Sequence, residues 1–303
     1  MSKSKVRRNV IIIISSIIIA VAAISIPGYM LLRVPLLENK INQAINNAEY
    51  EKVIELSDKL YGYGKDPLFA LTKKAYAQAK LGKNQEVLDT YNELVKIDQN
   101  NSEIYNQMGI LYNDVFKDYE KALGAFDNAI NLNSTDATYY SNKGLSLQWL
   151  NRDEEAVAAF KKSIEIDPSL AYVYHYLGLS YCTLKNFDEA IPALAKATEL
   201  NPQNSNAFVS LGNSYLEKNL SNEAIAAFDK AIELDKKDAD AFVGKGLALF
   251  NLEKYQDAIG VFDLALALDD KSKAAYTGKG NCLSALFKDA EARECYDKAK
   301  AIQ

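Results

Sequence analysis

A single histidine, His175, in 303 residues leaves almost nothing from which to build a histidine-dependent active site. Any Ser-His-Asp or Cys-His arrangement would have to use it, and no nucleophile motif accompanies it. Cysteine is scarce too: Cys182, Cys282 and Cys295 are odd in number and lack CxxC spacing, which indicates neither a disulfide framework nor a cysteine metal site; buried free thiols are expected, with a Cys282–Cys295 approach across the last hairpin as the alternative. Phosphate loops are missing. The runs Gly244-Lys245-Gly246 and Gly278-Lys279-Gly280 lack the upstream glycine and the Ser/Thr, and fall inside expected helices. Acidic pairs such as Glu154-Glu155 and Asp269-Asp270 read as charges at helix starts and turns, where a carboxylate suits the dipole. No catalytic residue, metal ligand or cofactor is therefore expected. After residue 33 there are 30 basic and 40 acidic residues, a poor basis for nucleic-acid binding, which needs clustered Lys and Arg. With 6 prolines, 14 glycines, no low-complexity tract and 49% hydrophobic residues, the chain reads as a folded body and not as a disordered one.

What is present is a period. Gly109, Gly144, Gly178, Gly212, Gly246 and Gly280 are spaced 35, 34, 34, 34 and 34 residues apart. Four residues before each stands an aromatic (Tyr105, Tyr140, Tyr174, Phe208, Phe242, Tyr276), and three after it a large apolar residue, so all three share one helix face. A second helix follows in each period. It carries a small residue (Ala122, Ala156, Ala190, Ala224, Ala258, Ala292), a ring or leucine four later (Phe126, Phe160, Leu194, Phe228, Phe262, Tyr296), and a small residue three beyond that. Small residues on both helices let backbones approach while the rings fill the space between. Lys143, Lys245 and Lys279, each just before a column glycine, are expected to lay their stems on the hairpin and put the ammonium in water.

These columns resemble the tetratricopeptide repeat (TPR) family, a 34-residue helix-turn-helix unit, over about nine tenths of the chain. Pro168 and Pro202 keep the family's closing proline, with Ser134, Lys236 and Asp270 elsewhere. The resemblance implies an all-α, right-handed TPR solenoid of about eight hairpins. Six clear repeats run 102–136, 137–170, 171–204, 205–238, 239–272 and 273–303, preceded by two divergent hairpins over 34–101. The 102–136 repeat holds one extra residue between Asn113 and Tyr119, a tolerated insertion that lengthens the turn around Phe116. Pro192 near the start of a second helix predicts at most a small kink. Arg293 and Lys300 stand where earlier repeats are apolar, which predicts that the array ends at Gln303 and does not stack on a copy of itself there.

The other strong signal precedes the repeats. Residues 1–9 are basic, and Val10 to Ile26 is an uncharged run with nine isoleucines that continues to Leu32. At roughly 1.5 Å per residue, 10–32 is long enough for a hydrocarbon core of about 30 Å. We expect a transmembrane signal-anchor helix over 10–32, longer than the usual signal-peptide core. Cleavage after Ala20-Val21-Ala22, giving a secreted protein, is the alternative. The charges on Lys3, Lys5, Arg7 and Arg8 place residues 1–9 in the cytoplasm and the repeats on the extracytoplasmic side of a single-pass membrane protein.

The TPR resemblance implies a concave surface lined by the first helices that receives a protein or peptide, with no small-molecule substrate. Its columns lie six, three and two residues before the glycine and one and four after it. None contains Lys or Arg in the six clear repeats, so the basic clamp with which some TPR domains hold acidic chain ends is absent. Asn142, Leu145, Tyr172, His175, Tyr176, Asn206 and Asn213, with nearby Trp149, form the expected contact patch, suited to a peptide of mixed polarity. The expected role is a non-catalytic membrane scaffold or adaptor. An extracytoplasmic chaperone or translocon-associated helper is one alternative, and a cytosol-facing organelle import receptor another.

Overall fold

A computed structural model describes residues 33–302. The expected cytoplasmic tail and the 10–32 anchor lie outside the described residues. Among those described there are sixteen α-helices and no strand, and no helix long and apolar enough to cross a membrane. The chain forms two compact units divided between Asp118 and Tyr119. The first contains α1 (33–46), α2 (Tyr50–Gly62), α3 (Pro67–Lys80), α4 (Asn84–Ile97) and α5 (Ser102–Leu111). The second opens with α6 (Tyr119–Leu132) and continues as five helical hairpins. These are α7 (Ala137–Trp149) with α8 (Asp153–Ile166), α9 (Ala171–Thr183) with α10 (Phe187–Leu200), and α11 (Ser205–Glu217) with α12 (Ser221–Leu234). Then come α13 (Ala239–Asn251) with α14 (Tyr255–Leu268), and α15 (Lys273–Ala285) with α16 (Asp289–Ala301).

Local chemistry starts and stops these helices. Four of the five first helices of the second unit are capped by side chains: Asp136 accepts from the Thr138 amide at 2.8 Å, Asn204 from Ala207, Asp238 from Asp240 and Ala241, and Ser272 from Ala275, whereas α9 starts at Leu170 without one. Second helices have no such cap. Their N-cap residue instead closes the helix before it. The Arg152 amide donates to the Leu147 carbonyl at 2.9 Å and the Asn151 amide to Gln148 at 2.9 Å, the paired bonds of a Schellman turn. The left-handed residue such a turn needs is Asn151, Lys185, Asn219, Glu253 and Phe287 in successive hairpins, all with φ between 56° and 60°. None is glycine, although Gly82 (φ 70°) fills this place after α3. Phe287 bears the left-handed penalty with its ring 91% exposed, so it returns no packing. Phe287→Gly is therefore expected to raise stability by about 0.5 to 1 kcal/mol, read as a higher urea midpoint at unchanged slope.

The glycine column is a matter of space. A Cβ on Gly144 would stand 2.5 Å from the Phe160 ring, on Gly178 2.5 Å from Leu194, on Gly212 2.8 Å from Phe228, and on Gly246 2.6 Å from Phe262. Each ring comes from the second helix of the same hairpin. It reaches across to the next hairpin as well, because a Cβ on Gly244 would collide with Phe228 and one on Gly278 with Phe262. Around these contacts Ala156, Ala190, Ala224 and Ala258 are fully buried. The lysines before the column glycine are not left to water: Lys143, Lys245 and Lys279 each pair with an aspartate of the preceding hairpin, Asp127, Asp229 and Asp263, at 2.6 Å. Half-exposed pairs of this kind contribute about 0.2 to 1 kcal/mol each.

One other expectation changes. The extra residue in the third repeat is wound into a π-helical turn, Tyr112–Phe116, which carries the first helix of that repeat further before Lys117 (φ 54°) ends it. Phe116 is 37% exposed there. Pro192 lies at the sixth residue of α10 on the exposed side, and the helix runs through it from Phe187 to Leu200.

A candidate peptide-binding face on the first helices

In the second unit α7, α9, α11, α13 and α15 lie side by side, each joined to its hairpin partner by a tight turn. Side-chain hydrogen bonds tie the first three together. The Tyr172 hydroxyl and Ser141 Oγ are 3.0 Å apart, and Gln148 Nε2 donates to the Tyr176 carbonyl at 2.9 Å and to Ser180 Oγ at 2.7 Å. From α9 to α11, His175 Nε2 sits 3.3 Å from Ser210 Oγ and Cys182 Sγ 3.2 Å from Ser214 Oγ. Groups expected to greet a ligand thus already serve one another.

The expected contact residues divide accordingly. Tyr176 is a wedge between hairpins: its ring stacks on Phe160 at 6.2 Å and 18°, and it occupies the column that holds Gly244 and Gly278 further along. That column, two residues before the glycine, belongs to packing. Asn142 in it is half-buried on α7. His175 is half-buried beside Ser210, and burial holds its pKa below the ordinary 6.5. Tyr172 keeps 39% of its surface exposed, Leu145 is half-buried, and Asn206 and Asn213 are exposed with no side-chain hydrogen bond among the described residues. Asn206 and Asn213 are seven residues apart on α11, two turns along one face, or about 10 Å.

Trp149 is not brought to the tyrosines. It ends α7, 63% exposed and stacked flat on Tyr119 at 5.8 Å and 6°, near the hairpin turns. Tyr172 lies in the first turn of α9, and with parallel first helices the two are about 16 Å apart along the axis. Continuing the column of Leu145 and Asn213 to later helices would have found Leu247, 37% exposed on α13, and exposed Asn281 on α15. Across α7 to α15 only Asp240 brings a charge to these columns, so the face is nearly neutral while the chain as a whole is acidic.

Cys182, Cys282 and Cys295 are free, and burial raises all three thiols, Cys282 to about 11, which keeps them protonated near neutral pH. Among the described residues no group of three or more His, Cys, Asp or Glu is placed to hold a metal.

The buried state of His175 has a measurable sign. Its imidazole is easier to protonate in the unfolded chain, so its share of stability is complete above about pH 6.5 and declines as pH falls toward the lower folded value. His175→Gln removes that contribution. The melting temperature of the wild type should drop more than that of the variant between pH 7.5 and 5.5, by a difference of about 1 to 3 °C.

Two family models, both described as tetratricopeptide repeat, match residues 137–170 and, in overlapping stretches, 176–239, 209–273 and 243–303, together more than half of the chain. Among curated proteins no sequence matches significantly. Among solved structures, YrrB, described as a TPR protein with an unusual peptide-binding site, superposes with a TM-score of 0.57 at 24% identity, covering 61% of this chain and 95% of that one. MamA superposes at 0.52 with 27% identity, covering 55% and 96%. A Pseudomonas aeruginosa pilF structure does so at 0.54 with 20% identity, covering 64% and 88%. With a repeated glycine under a repeated ring, sixteen helices in the described residues and these matches, the chain belongs to the tetratricopeptide repeat family.

Proposed function

We propose that this protein is a membrane-anchored, non-catalytic scaffold whose second unit holds an extended, uncharged stretch of a partner protein against its first helices. The observation that carries the reading is the pair Asn206 and Asn213. Two exposed amides two turns apart, beside Tyr172 and Leu247 on a face almost without charge, suit a peptide's own carbonyls and amides and its apolar side chains. The uncharged run over 10–32 is the anchor, with residues 1–9 cytoplasmic and the repeats extracytoplasmic. Holding the repeats at a membrane raises the local concentration of whatever they bind, which makes shallow contacts sufficient.

The test is a photo-crosslinking residue at Asn213 in the full-length protein in its native membrane, with a second at exposed Ala158 on α8 as control. Tyr176, being packed, would report on folding instead. One dominant partner captured only from Asn213 supports the scaffold; many unrelated adducts would favour an extracytoplasmic chaperone; capture equal to the control would overturn the site. Once a partner segment is known, Asn206→Ala with Asn213→Ala should weaken its binding about 10- to 100-fold without moving the melting temperature, by titration calorimetry. Protease protection of the repeats in sealed cells checks their side of the membrane, and cytosolic exposure would favour the import-receptor reading.

A further inference from the structure

On the outward face of three successive second helices one charged pair recurs, and the fourth, α14, replaces it with apolar residues. On α8, α10 and α12 a lysine and a glutamate three residues apart form ion pairs: Lys162–Glu165 at 2.9 Å, Lys196–Glu199 at 2.7 Å and Lys230–Glu233 at 2.7 Å. On α14 the same two places hold Leu264, 53% exposed, and exposed Ala267, with Leu268 42% exposed beside them. One turn earlier, a Cβ on Gly260 would meet nothing within 4 Å. Of the acids on this helix, Asp263 is engaged by Lys279, and exposed Asp257 lies one turn before Gly260. A charged strip becomes apolar for one helix only, and an exposed leucine in place of an ion-paired lysine gains nothing for the isolated monomer.

We propose that this face of α14 is a self-association surface, where two copies of the chain meet about a two-fold axis perpendicular to the helices. The border of the patch argues for a second copy. A two-fold across the helices sets α14 antiparallel to its counterpart, with Leu264 over Ala267 of the other copy. The same operation sets the neighbouring α12 antiparallel to its counterpart, so Lys230 faces Glu233 of the other copy and Glu233 its Lys230. The surface ion pair, 61% and 68% exposed in the monomer, is thereby exchanged across the interface at no loss of charge pairing. The border does not suit a lipid surface. In the equivalent places on α12 and α16 the acids Glu223, Glu233, Glu291 and Glu294 outnumber Lys230 and Lys298, whereas anionic headgroups attract lysine-rich rims. The first-helix face of each copy stays open, so the assembly presents two such faces, pointing away from each other. The inference does not depend on what those faces bind.

The test uses the full-length chain in detergent, by sedimentation velocity over about 1 to 100 μM. The wild type should shift from monomer toward dimer with concentration. The L264K/A267E variant, which installs on α14 the pair that α8, α10 and α12 carry, should self-associate at least about tenfold more weakly at an unchanged melting temperature. In a Cys182→Ser background, mixing Leu264→Cys and Ala267→Cys chains should give a disulfide heterodimer in higher yield than either alone. A wild type that stays monomeric throughout overturns the proposal, as does a dimer that persists in L264K/A267E. Vesicle binding lost in the variant, with no dimer in the wild type, would make lipid the occupant and overturn it equally.

Discussion

Phe228→Ala is expected to lower stability by about 3 to 5 kcal/mol. The ring is fully buried and is the common contact of two hairpins, lying against Gly212 of its own and Gly244 of the next. Removing it opens a cavity at an interface between repeats, where coupling between neighbours supplies much of an array's stability. Because a side chain at position 244 would enter the volume of that ring, Gly244→Leu alone should destabilise by about 1 to 3 kcal/mol through overpacking. Combined with Phe228→Ala it should partly refill the space. The double variant is then more stable than the sum of the two losses by more than about 1 kcal/mol, measured as a coupling energy from urea melts. Additive losses would mean that ring and glycine are not the same packing unit.

The second large effect concerns the last hairpin. Deleting residues 273–303 removes α15 and α16 and should unfold α13 and α14 as well, with more helix lost by circular dichroism than the deleted residues account for. Phe262 is fully buried and depends on Gly278 for one of its two walls, and Val261 and Leu266 pack in the same cluster. Each large apolar side chain returned to water costs about 1.5 to 3 kcal/mol, so uncovering two or three of them amounts to about 5 kcal/mol, comparable to the stability of a small domain. In α16 the matching places are charged: Arg293 and Lys300 are exposed where Ile259 and Leu266 are covered or half-covered on α14. Hydrogen exchange localises the result. Loss of protection across α13 and α14, with α7 to α10 retained, is expected; full retention in α14 would show that α13–α14 holds without its neighbour.

Much of this fold was legible because its signals are local and repeated. Glycine and ring stand 16 residues apart inside one hairpin, and alanines at fixed offsets mark where two helices touch, so six copies of one pattern specify helix, turn and partner face without distant information. The extra residue between Asn113 and Tyr119 was visible as a length change, but a lengthened loop and a π turn have the same count and differ only in where the surplus carbonyl finds a donor. Left-handed turn residues were hidden because five of them are Asn, Lys, Asn, Glu and Phe, where a turn of this kind ordinarily announces itself with glycine.

The candidate site was legible as a set of columns, whose members the structure places in different surroundings. Tyr176 and Asn142 share the column of Gly244 and Gly278, and glycines inside helices signal crowding, so that column could have been assigned to packing from the sequence. Trp149 was grouped with Tyr172 by proximity in the chain, whereas they occupy opposite ends of parallel helices. Lysines before the column glycine looked solvated because their aspartates lie 16 residues back, on another helix.

By itself, the sequence determined that the chain is a stack of helical hairpins and which residues line each hairpin's interior. The physical reason is that those properties depend on residues within a single period. Only the tertiary structure decided which outward side chains are already spoken for. Gln148 is consumed by α9, His175 rests against α11, and Lys245 is held by α12, whereas Asn206, Asn213 and Leu264 are left facing out. Those contacts join residues from different repeats, and a pattern that is the same in every repeat carries no information about which of its variable positions will meet a matching neighbour.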